Sequence, residues 1–75
     1  MKIDHIRELD EARPFRPFTF HLADERNVKV EHPEFLAYTP EDGTIVVLQP
    51  GGGVKILDLS LVTELEVVPR RAPKR

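Results

Sequence analysis

Few side chains in this chain belong to the types that carry out chemistry, and their spacing gives no catalytic pattern. Histidine occurs at His5, His21 and His32, and Ser60 is the only serine. Ser60 has neither a histidine near it in sequence nor a nucleophile-elbow motif, so we expect it to cap a turn. On the predicted N-terminal helix, Glu8 follows His5 by three residues, a spacing that could bring two metal ligands together. We therefore predict exposed histidines, no catalytic residue and no metal site.

The glycine run Gly51-Gly52-Gly53, followed by Val54 and Lys55, invites comparison with a phosphate-binding loop. Such a loop requires a helix after it, with its N-terminus facing the anion. The residues that follow here are β-branched and predict a strand, so a hairpin turn is expected and no cofactor is predicted. Glu64 and Glu66 are expected on the outward face of the last strand. There they would oppose stray edge pairing or accept basic side chains of a neighbouring chain.

Length and composition indicate one small domain. A chain of 75 residues buries only a thin core, and without cysteine neither disulfides nor thiolate-bound zinc can reinforce it. Oligomerisation is a plausible source of additional burial. The chain has no apolar run of membrane-spanning length and no signal-peptide pattern at its N-terminus. We expect a soluble cytoplasmic protein with no membrane association.

Charge is distributed unevenly along the chain. Residues 1–69 contain seven Lys/Arg and thirteen Asp/Glu, which gives them a net charge of about −6. The last six residues contain four positive charges, Arg70, Arg71, Lys74 and Arg75. An acidic body is not typical of a nucleic-acid surface. The basic tail, residues 70–75, could contact phosphates, an anionic lipid surface or the acidic body of a neighbour, but we expect a disordered end.

The N-terminal segment, residues 2–13, predicts one short helix. Ile3, Ile6 and Leu9 share one side, and Pro14 ends the helix because the residue before a proline leaves the helical region. A helix of about three turns is unstable alone, so its apolar stripe must pack on the rest of the domain. The following segment, 15–18, is expected to be an extended connector that turns the helix onto a sheet.

The rest of the chain predicts strands separated by turns. Alternating and β-branched residues mark the strands, Pro40 to Gly43 has type I turn chemistry, and Pro50 to Gly53 predicts a second reversal. The strand-forming runs are residues 18–22, 28–31, 35–38, 44–49, 54–58 and 62–68. Pro33 lies between the second and third runs, where we expect a sharp bend. Residues 59–61, without glycine or proline, predict a single helical turn before the last strand.

The order of these elements resembles the Sm-like fold, including the Hfq-type RNA chaperones. The likeness covers residues 3–69, with 18–30 similar to the first Sm motif and 44–68 to the second. It implies a mainly β domain, in which an N-terminal helix precedes a five-stranded, strongly bent antiparallel barrel of the SH3/Sm-like kind. The second of these five strands is bent in the family, and Pro33 stands near that bend here. The tyrosine-lysine-histidine signature of the Hfq-type link is replaced by Lys55-Ile56-Leu57-Asp58-Leu59. The chain also resembles short bacterial proteins with Phe-Arg-Pro-Phe and His-Pro-Glu-Phe stretches, a likeness that implies no activity.

In the Sm-like family the last two strands pair between subunits, and the protomers close into a ring. The resemblance therefore implies a homo-oligomer sealed by residues 54–58 and 62–68. The interface residues that it implies are Val54, Ile56, Val62, Leu65 and Val67. The predicted function is a non-enzymatic binding or assembly module whose expected partner is a second copy of itself, with another protein as the second candidate. The alternative is an Sm-like ring that binds RNA with help from Arg70, Arg71, Lys74 and Arg75.

Overall fold

The computed structural model describes residues 1–67, which form one helix and six strands. Helix α1 spans Ile3–Glu11. The strands are β1 (Phe18–Leu22), β2 (Asn27–Val30), β3 (Leu36–Thr39), β4 (Thr44–Leu48), β5 (Val54–Asp58) and β6 (Val62–Val67). Two short 3₁₀ turns, Pro33–Phe35 and Leu59–Leu61, precede β3 and β6. The predicted disorder of the basic tail lies outside the described residues.

The six strands form two antiparallel sheets of three strands each. Sheet A has the order β2-β1-β6, and sheet B has the order β3-β4-β5. The mainly β class with an N-terminal helix is confirmed, but the sheets do not close into a barrel within residues 1–67. The structure also has six strands where the sequence predicted five. The 3₁₀ turn at Pro33, which has no backbone N–H to give to a ladder, divides the expected bent strand into β2 and β3.

A single core joins the two sheets and the helix. Alternate residues of each strand point inward, as the burial of Phe18, Phe20 and Leu22 on β1 illustrates. The buried side chains are Ile6, Phe18, Phe20, Leu22, Val28, Val30, Leu36, Ile45, Val47, Leu57 and Val62. The rings of Phe18 and Phe20 meet edge to face, with centroids 5.5 Å apart.

Helix α1 is held on this core by its apolar stripe. Ile6 is fully buried, while Ile3 and Leu9 pack partly buried against the core. The connector that follows contributes Phe15, whose ring centroid lies 5.9 Å from that of Phe18. The expectation that the helix needs the sheet as a support is consistent with this packing. None of the helices in residues 1–67 has the length and apolar character needed to span a membrane.

The turn between β3 and β4 contacts the 3₁₀ turn before β6 through Gly43. The Gly43 amide donates to the Thr39 carbonyl at 2.9 Å, and the Gly43 carbonyl accepts from the Leu59 amide at 2.7 Å. Asp42 accepts hydrogen bonds from the Thr39 hydroxyl and the Thr44 amide, and these bonds, the Thr39 bond first, lower the pKa of Asp42. The turn thus couples β4 to the start of β6.

Gly43→Ala should destabilise the domain by about 1–2 kcal/mol, the cost of a left-handed residue with a Cβ. Gly43 has a φ of +72°, and a Cβ atom there would lie 3.1 Å from the Leu59 Cβ. Urea unfolding measures the change. Gly51→Ala is the matched control, because a Cβ at Gly51 meets no atom within 4 Å and its φ is not in the left-handed range. Equal unfolding midpoints for the two variants would contradict the role of Gly43.

Candidate assembly interface

The outward side of sheet B is apolar over half of its length. The register pairs Val46 with Ile56 and Leu48 with Val54, so these four side chains share one face of neighbouring strands. Ile56 is 70% exposed, Val54 is 55% exposed and Leu48 is 43% exposed. We call these four residues the outer apolar face. Scattered single apolar residues are ordinary on a surface, but here they are contiguous.

The opposite side of the same two strands is buried. Ile45, Val47 and Leu57 point toward the core and alternate with the residues of the outer apolar face. An antiparallel sheet with one solvated side normally alternates apolar and polar residues. In β4 and β5 four outward residues are also apolar, although Thr44 and Asp58 share that outward side and Lys55 stands exposed on the inward side.

Sheet A provides the contrast within the same molecule. Its inward residues are apolar, but its outward residues are polar: Thr19 lies opposite Lys29 and Glu66, and His21 lies opposite Asn27 and Glu64. The two sheets have similar length and strand number and differ in the chemistry of their outer faces. The apolar character is therefore local to sheet B and does not reflect overall composition.

Strands β5 and β6 each stand at the edge of a sheet. Within residues 1–67, β5 pairs only with β4, and β6 pairs only with β1. Each strand thus has a row of backbone N–H and C=O groups that no described strand satisfies. Such an edge is a template for another strand. The two edges have similar lengths, five residues in β5 and six in β6.

The sequence-predicted interface residues occupy two different environments. Val54 and Ile56 are exposed on the outer apolar face. Val62 is buried in the core of its own chain, and Leu65 and Val67 are partly buried against that core. The side chains of β6 therefore serve the fold of one chain, and what β6 offers a neighbour is its backbone edge.

A polar cluster lies on the outer face of sheet A. The Nδ1 atom of His21 is 2.8 Å from Asn27 Oδ1, and its Nε2 atom is 2.7 Å from Glu66 Oε1. Glu64 stands directly opposite His21 in the register of β1 and β6. The hydrogen bond to Glu66, followed in effect by the bond to Asn27 and the charge of Glu64, raises the pKa of His21 above its ordinary value.

Two open grooves flank the strands. One, of about 360 Å³, lies between α1 and β6 and is lined by residues that include His5, Glu8 and Leu65. The other, of about 570 Å³, lies beside the 3₁₀ turn before β6 and includes Asp58 and Ser60. The Ser60 hydroxyl donates to Asp58 Oδ1, and the Ser60 amide donates to the same oxygen. Asp58 therefore caps this turn. Ser60, which was expected to be the cap, instead donates hydrogen bonds to Asp58.

Sequence reasoning missed two features of these surfaces. It nominated Val54 and Ile56, but it did not place Val46 and Leu48 beside them, since that requires the register of β4 and β5. It also placed Glu64 and Glu66 on one outward face without His21, because only the pairing of β1 with β6 brings His21 to these two carboxylates. The alternation in each strand already indicated which side chains point outward. The missing signal was the strand pairing.

The nucleic-acid residues of the alternative prediction, Arg70, Arg71, Lys74 and Arg75, lie outside the described residues, so RNA binding stays a prediction. No family model matches the chain, and no curated protein or solved structure matches it either. The resemblance to the Sm-like family and its subunit pairing likewise stay predictions.

Proposed function

We propose that this protein is a non-enzymatic assembly module that self-associates through its C-terminal strands. The observation that carries the proposal is the outer apolar face, which stands next to the edge of β5 that no strand within residues 1–67 pairs with. Covering Ile56, Val54 and Leu48 removes apolar area from water, and an added strand satisfies the edge backbone. Apolar burial and backbone pairing reinforce each other, because β5 contributes both exposed apolar side chains and an edge.

The partner in this proposal is a second copy, and its contribution is the edge of β6. A contact between β5 of one chain and β6 of the next is heterologous, because it uses two different surfaces. Each chain then takes part in two contacts, which offsets the small area of each. A stable interface buries roughly 800 Å² per partner, more than the outer apolar face supplies alone. The edge pairing and the flanking side chains supply the remainder.

The first experiment is the mass of the protein in solution. Multi-angle light scattering across a dilution series should give a multiple of 8.6 kDa. Nucleic-acid absorbance of the same sample separates assembly of the protein alone from assembly on bound RNA. Hydrogen exchange should show the amides of β5 and β6 protected in the assembled state and faster on dilution. A single-chain mass at micromolar concentration, with both edges exchanging fast, would overturn the proposal.

A further inference from the structure

We infer that His21, Glu64 and Glu66 form a binding site for a divalent transition-metal ion of the zinc class on the outer face of sheet A. One imidazole nitrogen and one oxygen from each carboxylate lie within 4.8 Å of one another. The three residues come from two adjacent strands, so the sheet itself holds their backbones in place. The inference does not depend on the proposed assembly, because the ligands project from the outer face of β1 and β6 and not along the edge of β6.

The distances fit such an ion after small side-chain movements. With metal–ligand bonds of about 2.0–2.2 Å, ligand atoms in a tetrahedral site are roughly 3.3 Å apart. Glu64 and Glu66 are exposed, so their carboxylates can move this far without disturbing the core. Three protein ligands leave a further position for water.

Asn27 gives the site an orienting group outside the three ligands. Its Oδ1 atom lies 2.8 Å from His21 Nδ1 and can accept the proton of that nitrogen. A histidine ligand needs this arrangement, because a hydrogen bond at one ring nitrogen fixes the tautomer and presents the lone pair of the other. In the metal-free state Nε2 donates to Glu66. The ion takes the place of that proton, which is released to solvent, and the freed lone pair of Nε2 then binds the ion.

The donor set selects between ion classes. Imidazole nitrogen favours zinc, nickel, copper and iron, whereas magnesium and calcium require oxygen ligands. An exposed acidic patch without a histidine ligand would show a smaller preference for zinc over magnesium. The comparison of Zn²⁺ with Mg²⁺ therefore tests whether His21 is a ligand.

Isothermal titration of the full chain with zinc chloride at neutral pH should give saturable binding of one ion per chain. His21→Ala and Glu66→Gln should each weaken zinc binding by roughly tenfold or more, and Asn27→Ala should weaken it by about tenfold through the loss of orientation. His5→Ala and His32→Ala are matched controls, since each removes an exposed histidine elsewhere. Circular dichroism of every variant confirms that the fold is kept.

A second measurement follows the imidazole resonances by NMR during the zinc titration. The His21 signals should shift and saturate, while those of His5 and His32 stay in place. Three results would each overturn the inference: no saturable zinc binding by the wild-type chain, unchanged affinity in His21→Ala, or competition by Mg²⁺ at concentrations similar to those of Zn²⁺.

Discussion

Ile56→Lys is expected to reduce the protein from its assembled mass to that of a single chain while the single chain stays folded. Ile56 is the most exposed apolar residue of the outer apolar face, and its partner in the register is Val46 on β4. Its side chain has almost no contact with the core, so the fold loses little when it is replaced. The neighbouring chain in the proposed assembly loses an apolar contact and gains an ammonium group.

The size of the effect follows from burial. Covering an isoleucine side chain contributes about 1.5–3 kcal/mol, and an unpaired buried charge costs more. Each 1.4 kcal/mol corresponds to about a tenfold change in the dissociation constant, so a shift of more than a hundredfold is expected. Light scattering at matched concentrations measures the mass, and a dilution series gives the dissociation constant.

Ala23→Lys is the matched control for Ile56→Lys. It adds the same charge at an exposed position in the turn after β1, outside the outer apolar face. It should keep the wild-type mass. If both variants dissociate, the effect comes from net charge and not from the outer apolar face. If Ile56→Lys keeps the assembled mass with an unchanged dilution profile, β5 does not form the interface.

The local elements of this fold could be predicted from sequence because their signals are local. Alternation in residues 18–22 indicated β1 with Phe18, Phe20 and Leu22 inward, and all three are buried. The helical turn expected at residues 59–61 is the 3₁₀ turn Leu59–Leu61. In each case the side-chain period or the turn chemistry of a few residues decides the conformation.

The arrangement of the strands could not be predicted in the same way. The prediction joined the runs on both sides of Pro33 into one bent strand, whereas a 3₁₀ turn there ends β2, which pairs with β1, and lets β3 pair with β4. The predicted closure into a barrel was wrong for the same reason: closure depends on pairing between distant segments. Pairing partners are set by the packing of the whole core, and no short sequence pattern encodes them.

The candidate interface was predictable only in part. Val54 and Ile56 were identified because the resemblance to the Sm-like fold implies pairing between subunits along residues 54–58. The inward position of Val62 could not be predicted, because nothing in residues 62–68 distinguishes a core contact from a subunit contact. Val62 pairs with Leu22 across a register shift in β1, a contact between residues forty positions apart.

Phe20→Ala is expected to remove much of the stability of the domain. Phe20 is fully buried at the centre of β1, and its register partners are Val28 on β2 and Leu65 on β6. Truncating a buried phenylalanine to alanine costs about 3–5 kcal/mol, since the cavity cannot collapse between two fixed neighbours. A domain of 75 residues has a total stability of roughly 4–11 kcal/mol.

Urea unfolding of Phe20→Ala is best measured in the Ile56→Lys background, where assembly adds nothing to the apparent stability. In thermal unfolding of the same variants, the midpoint temperature should fall by about 4–8 °C for each kcal/mol lost. Thr19→Ala is the matched control, because Thr19 precedes Phe20 on the same strand and points outward, where substitutions change stability by about 0.5 kcal/mol or less. Similar losses in Phe20→Ala and Thr19→Ala would contradict the inward orientation of Phe20. A large loss in Phe20→Ala, with little change in Thr19→Ala, supports Phe20 as a core residue that holds β1 between β2 and β6.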